Sequence, residues 1–251
     1  HLFSSAASDV YKRQEQVVLL PGLMCDERLF GPIIKPLKKN YRVHIPVMDH
    51  FKSMDEMASF VLNSISDSFH TVGLSTGGII AMKLAIKDPS RVKSMILMDT
   101  SPHSDSARKQ ASRDIQIKSI SETKDLERLV AEELKPNYVY NELTNQHVLD
   151  LCMQMALDLG IEVFANQCLA LRNRQSLTNL LSQINCRTLV LCGEHDKLCP
   201  VSVHEEIVNY ISNSTLSVIP NCGHLPILEE PEICIKEIAS FLNLGLDECR
   251  V

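Results

Sequence analysis

Hydrophobic positions along the chain follow two rhythms. Six short runs are almost continuously apolar: "QVVLLPG" from Gln16, "YRVHIPV" from Tyr41, "HTVGLS" from His70, "VKSMILMDTSP" from Val92, "RTLVLCGEHD" from Arg187 and "STLSVIPNCGH" from Ser214. They are too short for free-standing helices and end in turn residues, so they read as strands. Runs apolar on both alternating sets of positions fit strands buried on both faces, as in a parallel sheet. Between them the period lengthens. Met54, Met57, Phe60, Val61 and Ile65 recur at helical spacing within residues 53–65, and residues 76–87, 203–211 and 228–242 behave alike. Strand and helix in alternation predict an α/β fold with a doubly wound, mostly parallel sheet.

The alternation breaks once. From His103 to Gln183 no strand is evident, and four stretches read as helices: "ARKQASRDIQIKSI", "TKDLERLVAEEL", "NQHVLDLCMQMALDLG" and "IEVFANQCLALRN", separated by "KPNY" and by Gly160. So much material is more than a loop. It predicts a helical cap over residues 103–183, inserted into a core made of residues 15–102 and 184–251.

Composition narrows the class. With 251 residues, 45% of them hydrophobic, the chain can bury a sizeable core. No apolar run is long enough to cross a membrane. A net charge of −6 lacks the basic footprint of a nucleic-acid-binding protein. Nine cysteines, none in a C-x-x-C pair, read as buried thiols in a reducing, cytoplasmic setting rather than as a disulfide framework. Cys222 and His224 lack a second pair at ligand spacing, so no metal site is expected. "HLFSSAASDVYKRQ", residues 1–14, has no periodicity. "DVYKRQ" matches the translation of a sequencing-adapter end, and the segment is expected to be an artefact without order of its own.

The candidate chemistry sits where strands end. "TVGLSTGGII" places Ser75 between a strand and a helix, the context in which G-x-S-x-G carries meaning. A serine thrust outward on so sharp a turn brings its flanks together, so Gly73 and Gly77 are required as elbow glycines. A serine needs a base. His224, in the loop "NCGHLP" after the last strand, is placed at the same sheet edge, where open α/β sheets keep their sites. The base needs an acid to orient it. Asp196 in "GEHDKLCP" is preferred over its neighbour Glu194 and over Asp99, which is expected to hold a strand end or the cap hinge. Two backbone N–H groups should face the developing oxyanion. Thr76 supplies one, and Leu23, after the tight turn at Gly22, supplies the other. Met24 is a candidate pocket-wall residue, with plain packing as the competing reading. Ser75 Oγ and the His224 ring are expected within hydrogen-bond reach.

Serine, then acid, then histidine, each after a successive strand and behind an early glycine loop, resembles the α/β-hydrolase fold family over residues 16–243. The cap's position strengthens the likeness to the small-esterase branch, which includes pimeloyl-carrier-protein methyl esterases and related C–C hydrolases and lyases. The resemblance implies hydrolysis of a carboxylic ester or similar small-molecule acyl substrate through an acyl-enzyme, with no cofactor. C–C bond hydrolysis or lysis on the same triad is the alternative within the enzyme class, and a non-catalytic binding module the alternative outside it. The family's oxyanion loop usually reads His-Gly. Here it reads Pro21-Gly22, which leaves the backbone donor intact.

Overall fold

A computed structural model describes residues 14–244. Residues 1–13 and 245–251 lie outside it, and so does the expectation of an adapter-derived N-terminus. All six expected strands are present: β1 (Glu15–Leu20), β2 (Tyr41–His44), β3 (Phe69–Leu74), β4 (Val92–Met98), β5 (Arg187–Gly193) and β6 (Ser214–Ile219). They form one sheet in the order β2-β1-β3-β4-β5-β6, parallel at every pairing. Its crossovers run through α1 (Gly31–Asn40), α2 (Met54–Ser64), α3 (Thr76–Lys87) and α7 (Val201–Tyr210). The chain ends in α8 (Pro226–Glu229) and α9 (Pro231–Leu242).

The continuous apolar runs have a simple cause. In β1, Val17 and Leu19 face one layer and Val18 and Leu20 the other, because successive side chains alternate across a strand. Val17 and Leu19 join Ile33 and Leu37 of α1 and Ile235 and Ile238 of α9. Val18 and Leu20 join Met54 and Met57 of α2, Ile80 of α3 and Ile207 of α7. Both faces are covered, so most strand positions in the middle of the sheet are apolar, and the few polar ones, Thr71, Ser94 and Thr188, are small.

Between β4 and β5 the chain makes a helical excursion: α4 (Ala107–Thr123), α5 (Leu126–Leu129) and α6 (Gln146–Arg172). A π-turn over Val130–Leu134 and a 3-10 turn over Lys135–Asn137 follow α5. Gly160, at φ 84° and ψ 178°, interrupts α6 where the sequence predicted a break. A side chain other than hydrogen would be strained there. The helices share their own apolar cluster, with Ile120, Leu126, Leu129, Val163 and Phe164 at its centre. The two ends of the excursion are tied together where Leu177 N–H donates to Pro102 O at 2.7 Å. Beyond that clamp Leu177 and Leu181 pack with the sheet-facing cluster, and the 3-10 turn Thr178–Gln183 lies on α3 and α7. Among the described residues no helix is long and apolar enough to cross a membrane.

Candidate active site

Ser75 is the single residue between β3 and α3, held at φ 53° and ψ −113°. That is an uncommon backbone state, worth on the order of 1–3 kcal/mol of strain. Four hydrogen bonds hold its backbone: Ser75 N–H to Met98 O (2.8 Å), Thr100 Oγ1 to Ser75 O (2.7 Å), Gly78 N–H to Ser75 O (3.0 Å) and Ile79 N–H to Ser75 O (3.3 Å). The elbow glycines have a steric reason. A Cβ on Gly73 would lie 2.4 Å from Gly77 O, and one on Gly77 would lie 1.8 Å from Leu20 O.

The loops after β5 and β6 bring their side chains to this serine. Ser75 Oγ lies 3.0 Å from His224 Nε2, and His224 Nδ1 lies 2.8 Å from Asp196 Oδ2. His224 and Asp196 are both buried, and Ser75 is partly open. Asp196 Oδ1 accepts the Leu198 N–H at 2.8 Å. Burial opposes ionisation of Asp196, but His224 and the Leu198 and Cys199 N–H groups outweigh it and leave the pKa lowered. Asp196 is therefore an anion beside the imidazole, which fixes Nδ1 as the protonated nitrogen and leaves Nε2 free to accept from Ser75. The His224 loop is pinned in turn. Its N–H donates to Tyr138 O (2.9 Å), while the Glu229 carboxylate accepts from Gly223, Leu225 and Tyr140 N–H.

The rival acids are accounted for. Glu194 is half-exposed and receives the Asn221 N–H at 3.3 Å. Asp99, after β4, does more than hold a strand end. It is fully buried at φ 42°, and its Oδ1 accepts the Gly193 N–H at 2.9 Å. Its Oδ2 finds no donor, so an ionised Asp99 would be a buried charge with an empty face. Burial and the neighbouring Asp196 charge push its pKa well up. The protonated acid has a hydroxyl to offer the neighbouring Asp196 carboxylate. His204 stands behind the same group. Its Nε2 accepts the Thr100 N–H at 3.0 Å and its Nδ1–H donates to Pro200 O at 3.2 Å. Burial pulls its pKa down to about 4, so it is a neutral spacer. Nothing in the sequence around His204 marks this role.

A cavity of about 230 Å³ opens in front of Ser75. Gly22, Leu23, Ser75, Thr76 and His224 line it. The Leu23 and Thr76 N–H groups donate to no other group of the described residues. Met24 does not line the cavity. At φ 54° its side chain turns away, to be buried among Ile120, Leu126 and Phe164, while its N–H donates to Gln167 Oε1 at 2.9 Å. Packing is its observed role, and the pocket-wall expectation fails on that backbone turn. Cys222 is buried in the core cluster rather than paired with His224 toward a metal. The thiol that does approach is Cys199: its sulfur and donor atoms of Asp196 and His224 lie within 4.8 Å of one another. A thiophilic ion bound there would have to displace the proton that His224 shares with Asp196. Burial first, and then the Asp196 charge, push the Cys199 thiol pKa up, which opposes the thiolate that such an ion would need.

A strained serine between a parallel strand and a helix, with its histidine and acid delivered by later strands to the same edge, defines a hydrolase of the α/β-hydrolase class. The chain belongs to the Hydrolase_4 family (serine aminopeptidase, S33), whose model matches residues 38–232. It is 25% identical to the pimeloyl-[acyl-carrier protein] methyl ester esterase of Aliivibrio fischeri (strain ATCC 700601 / ES114), over 90% of this chain and 93% of the relative. A thermophilic esterase from Thermogutta terrifontis superposes with a TM-score of 0.82 at 27% identity, covering 91% of this chain and 89% of that one. The enol-lactonase from Burkholderia xenovorans LB400 shares the fold, with a TM-score of 0.83 at 19% identity, covering 92% of each chain.

Proposed function

We propose that the protein is a serine esterase that cleaves a small carboxylic ester through an acyl-enzyme. The observation that carries this reading is the unbroken hydrogen-bond chain Ser75 Oγ–His224 Nε2–Nδ1–Asp196 Oδ2, at 3.0 and 2.8 Å. In the first half-reaction His224 Nε2 takes the Ser75 proton as Oγ attacks the acyl carbonyl. The Leu23 and Thr76 N–H groups, which belong to residues lining the cavity, receive the oxyanion; such a donor contributes about 3 kcal/mol to the transition state. Asp196 stabilises the imidazolium, which then protonates the leaving alcohol. In the second half-reaction His224 deprotonates water, and the same steps return the serine.

The cavity volume lies below the usual range for drug-sized ligands, which favours a short acyl or alcohol part. A methyl ester of a modest acyl chain, the chemistry in the name of the Aliivibrio relative, fits that limit. The helical excursion acts as the cap that closes this space. The eight described cysteines are free thiols, which suits a reducing compartment such as the cytoplasm.

Burst kinetics test the reading. With p-nitrophenyl acetate the first turnover should release about one equivalent of p-nitrophenol before the slower steady state. Ser75→Ala should show neither burst nor turnover. Turnover of a carbonyl substrate without any acyl-enzyme would instead favour C–C cleavage on the same residues.

A further inference from the structure

The cavity has two unlike walls. Leu23, Leu74, Ile79, Leu171 and Leu225 make the wall beside Ser75 apolar. Another part of the lining is one face of α4: Lys109, Ser112, Arg113 and Gln116, at spacings of three, four and seven, all line the cavity. Side chains so spaced share a helix face. A helix covering a purely apolar acyl pocket would turn leucines inward. This one has Ile120 as its only buried residue.

The charges on that wall do not cancel. Arg113 and Arg174 converge on one carboxylate, Asp105, whose side chain is fully buried. Arg174, itself nine-tenths buried, donates its Nε–H to His103 O at 2.8 Å and lies 3.1 Å from Asp105 Oδ1. Arg113 pairs through Nε with Asp105 Oδ2 and also reaches the Cys168 thiol. Each guanidinium carries a fork of N–H donors, most of which these contacts leave unused. Lys109, at the mouth, has no carboxylate partner among the described residues. Glu133, the other carboxylate on the wall, is exposed and accepts from Gln116 at 2.8 Å. Three cations therefore face two carboxylates, and one of those carboxylates is shared between two arginines. A buried cation with unused donors is a standing cost unless an anion answers it.

We propose that the α4 wall is a recognition site for a carboxylate carried by the substrate away from its ester carbonyl, held by Arg113 and Arg174 with Lys109 at the entrance. The preferred substrate is then a monoester of a short dicarboxylic acid, or an ester with an acidic alcohol part. Its apolar stretch lies along the leucine wall, and its carboxylate meets the guanidinium forks in the paired geometry that arginine favours. This rests on the reading of Ser75 as nucleophile, and the test separates the two.

The test compares p-nitrophenyl hydrogen glutarate with p-nitrophenyl valerate, matched in chain length, each corrected for spontaneous hydrolysis. The ratio of their kcat/KM values should favour the glutarate by at least about tenfold. It should fall at least about tenfold in Arg113→Gln and in Arg174→Gln, and shrink as salt is raised. Removing one arginine leaves Asp105 buried and short of a partner. The double variants Asp105→Asn/Arg113→Gln and Asp105→Asn/Arg174→Gln keep the comparison valid where a single variant misfolds. Calorimetric binding of free glutarate to Ser75→Ala gives a readout independent of catalysis, and it should be lost with either arginine. Preference for the valerate, or a ratio unmoved by both arginine changes, overturns the anion site while leaving the esterase intact. Glutarate binding to a Ser75→Ala protein that still hydrolyses esters would instead keep the site and remove the nucleophile.

Discussion

Asp99→Asn is the most informative single change behind the site. Asp99 accepts the Gly193 N–H through Oδ1, and burial together with the neighbouring Asp196 charge pushes its pKa well up, which favours a neutral carboxyl able to donate to Asp196 through the other oxygen. Asparagine has the same shape and can do both. Were Asp99 ionised instead, it would add a second negative charge behind His224. Two hydrogen bonds and a carboxylate width separate the groups by roughly 8 Å, so at an effective dielectric near 20 that charge would stabilise the imidazolium by about 2 kcal/mol. Removing it would move the acid limb of the kcat/KM profile down by about 1.5 pH units. A neutral Asp99 predicts no such movement. The assay is kcat/KM for p-nitrophenyl acetate between pH 5 and 9. Asp99→Asn should keep the acid limb within about 0.3 units of wild type, on the scale of ordinary pKa shifts. Asp99→Ala should lose about tenfold in kcat/KM, because Asp196 loses a charge-assisted hydrogen bond whose net worth is about 1.5–3 kcal/mol, part of it felt in the transition state. It should also lose stability, since Gly193 N–H is left buried without an acceptor. A drop of a full unit in the acid limb of Asp99→Asn would refute the neutral-carboxyl argument.

Three further outcomes follow from the geometry. His204→Gln should flatten the acid dependence of stability. Its folded pKa, about 4, lies below the unfolded 6.5, so the unfolded chain binds the extra proton and stability falls as pH drops through that window, by about 2 kcal/mol at pH 5; urea midpoints at pH 7 and 5 measure it. Gly77→Ala, whose Cβ would sit 1.8 Å from a backbone oxygen, exceeds ordinary overpacking and should lower Tm by about 10 °C or prevent folding, as scanning calorimetry would show. Glu229→Ala frees three backbone N–H groups around His224, and kcat should fall more than KM rises, whereas a change confined to KM would mean that the loop holds without it.

Much of this was legible before the structure, and the reasons are local. Strands β1, β3, β4 and β5 announce themselves because both of their faces are covered, as Val17 and Val18 show on opposite sides. Ser75 and His224 are legible because a glycine-marked turn after a strand leaves few conformations. Asp196 is less so: Asp99 and Asp196 both follow strands, and only the loop path shows that one touches His224 while the other touches its partner. Met24 misled because sequence does not reveal that its φ is positive and its side chain turned toward the helical excursion. Asp105, Arg113 and Arg174 were unreadable as a group, since the second and third lie on separate elements far apart in sequence. The available hint was the polar stripe Lys109, Ser112, Arg113 and Gln116 on a helix with little apolar face. The 3-10 turn Thr178–Gln183 lacks a strand's pattern, so its packing on the core was not legible in the sequence.

The central claim is that Ser75 is the nucleophile, and covalent labelling tests it most directly. A fluorophosphonate ester incubated with the folded protein and read by intact mass and peptide mapping should add one adduct per chain, on Ser75. Ser75→Ala should take none, and His224→Ala should react slower by on the order of 10⁴-fold or more. An adduct on another residue, equal labelling of Ser75→Ala, or no labelling of the folded wild type would contradict the account.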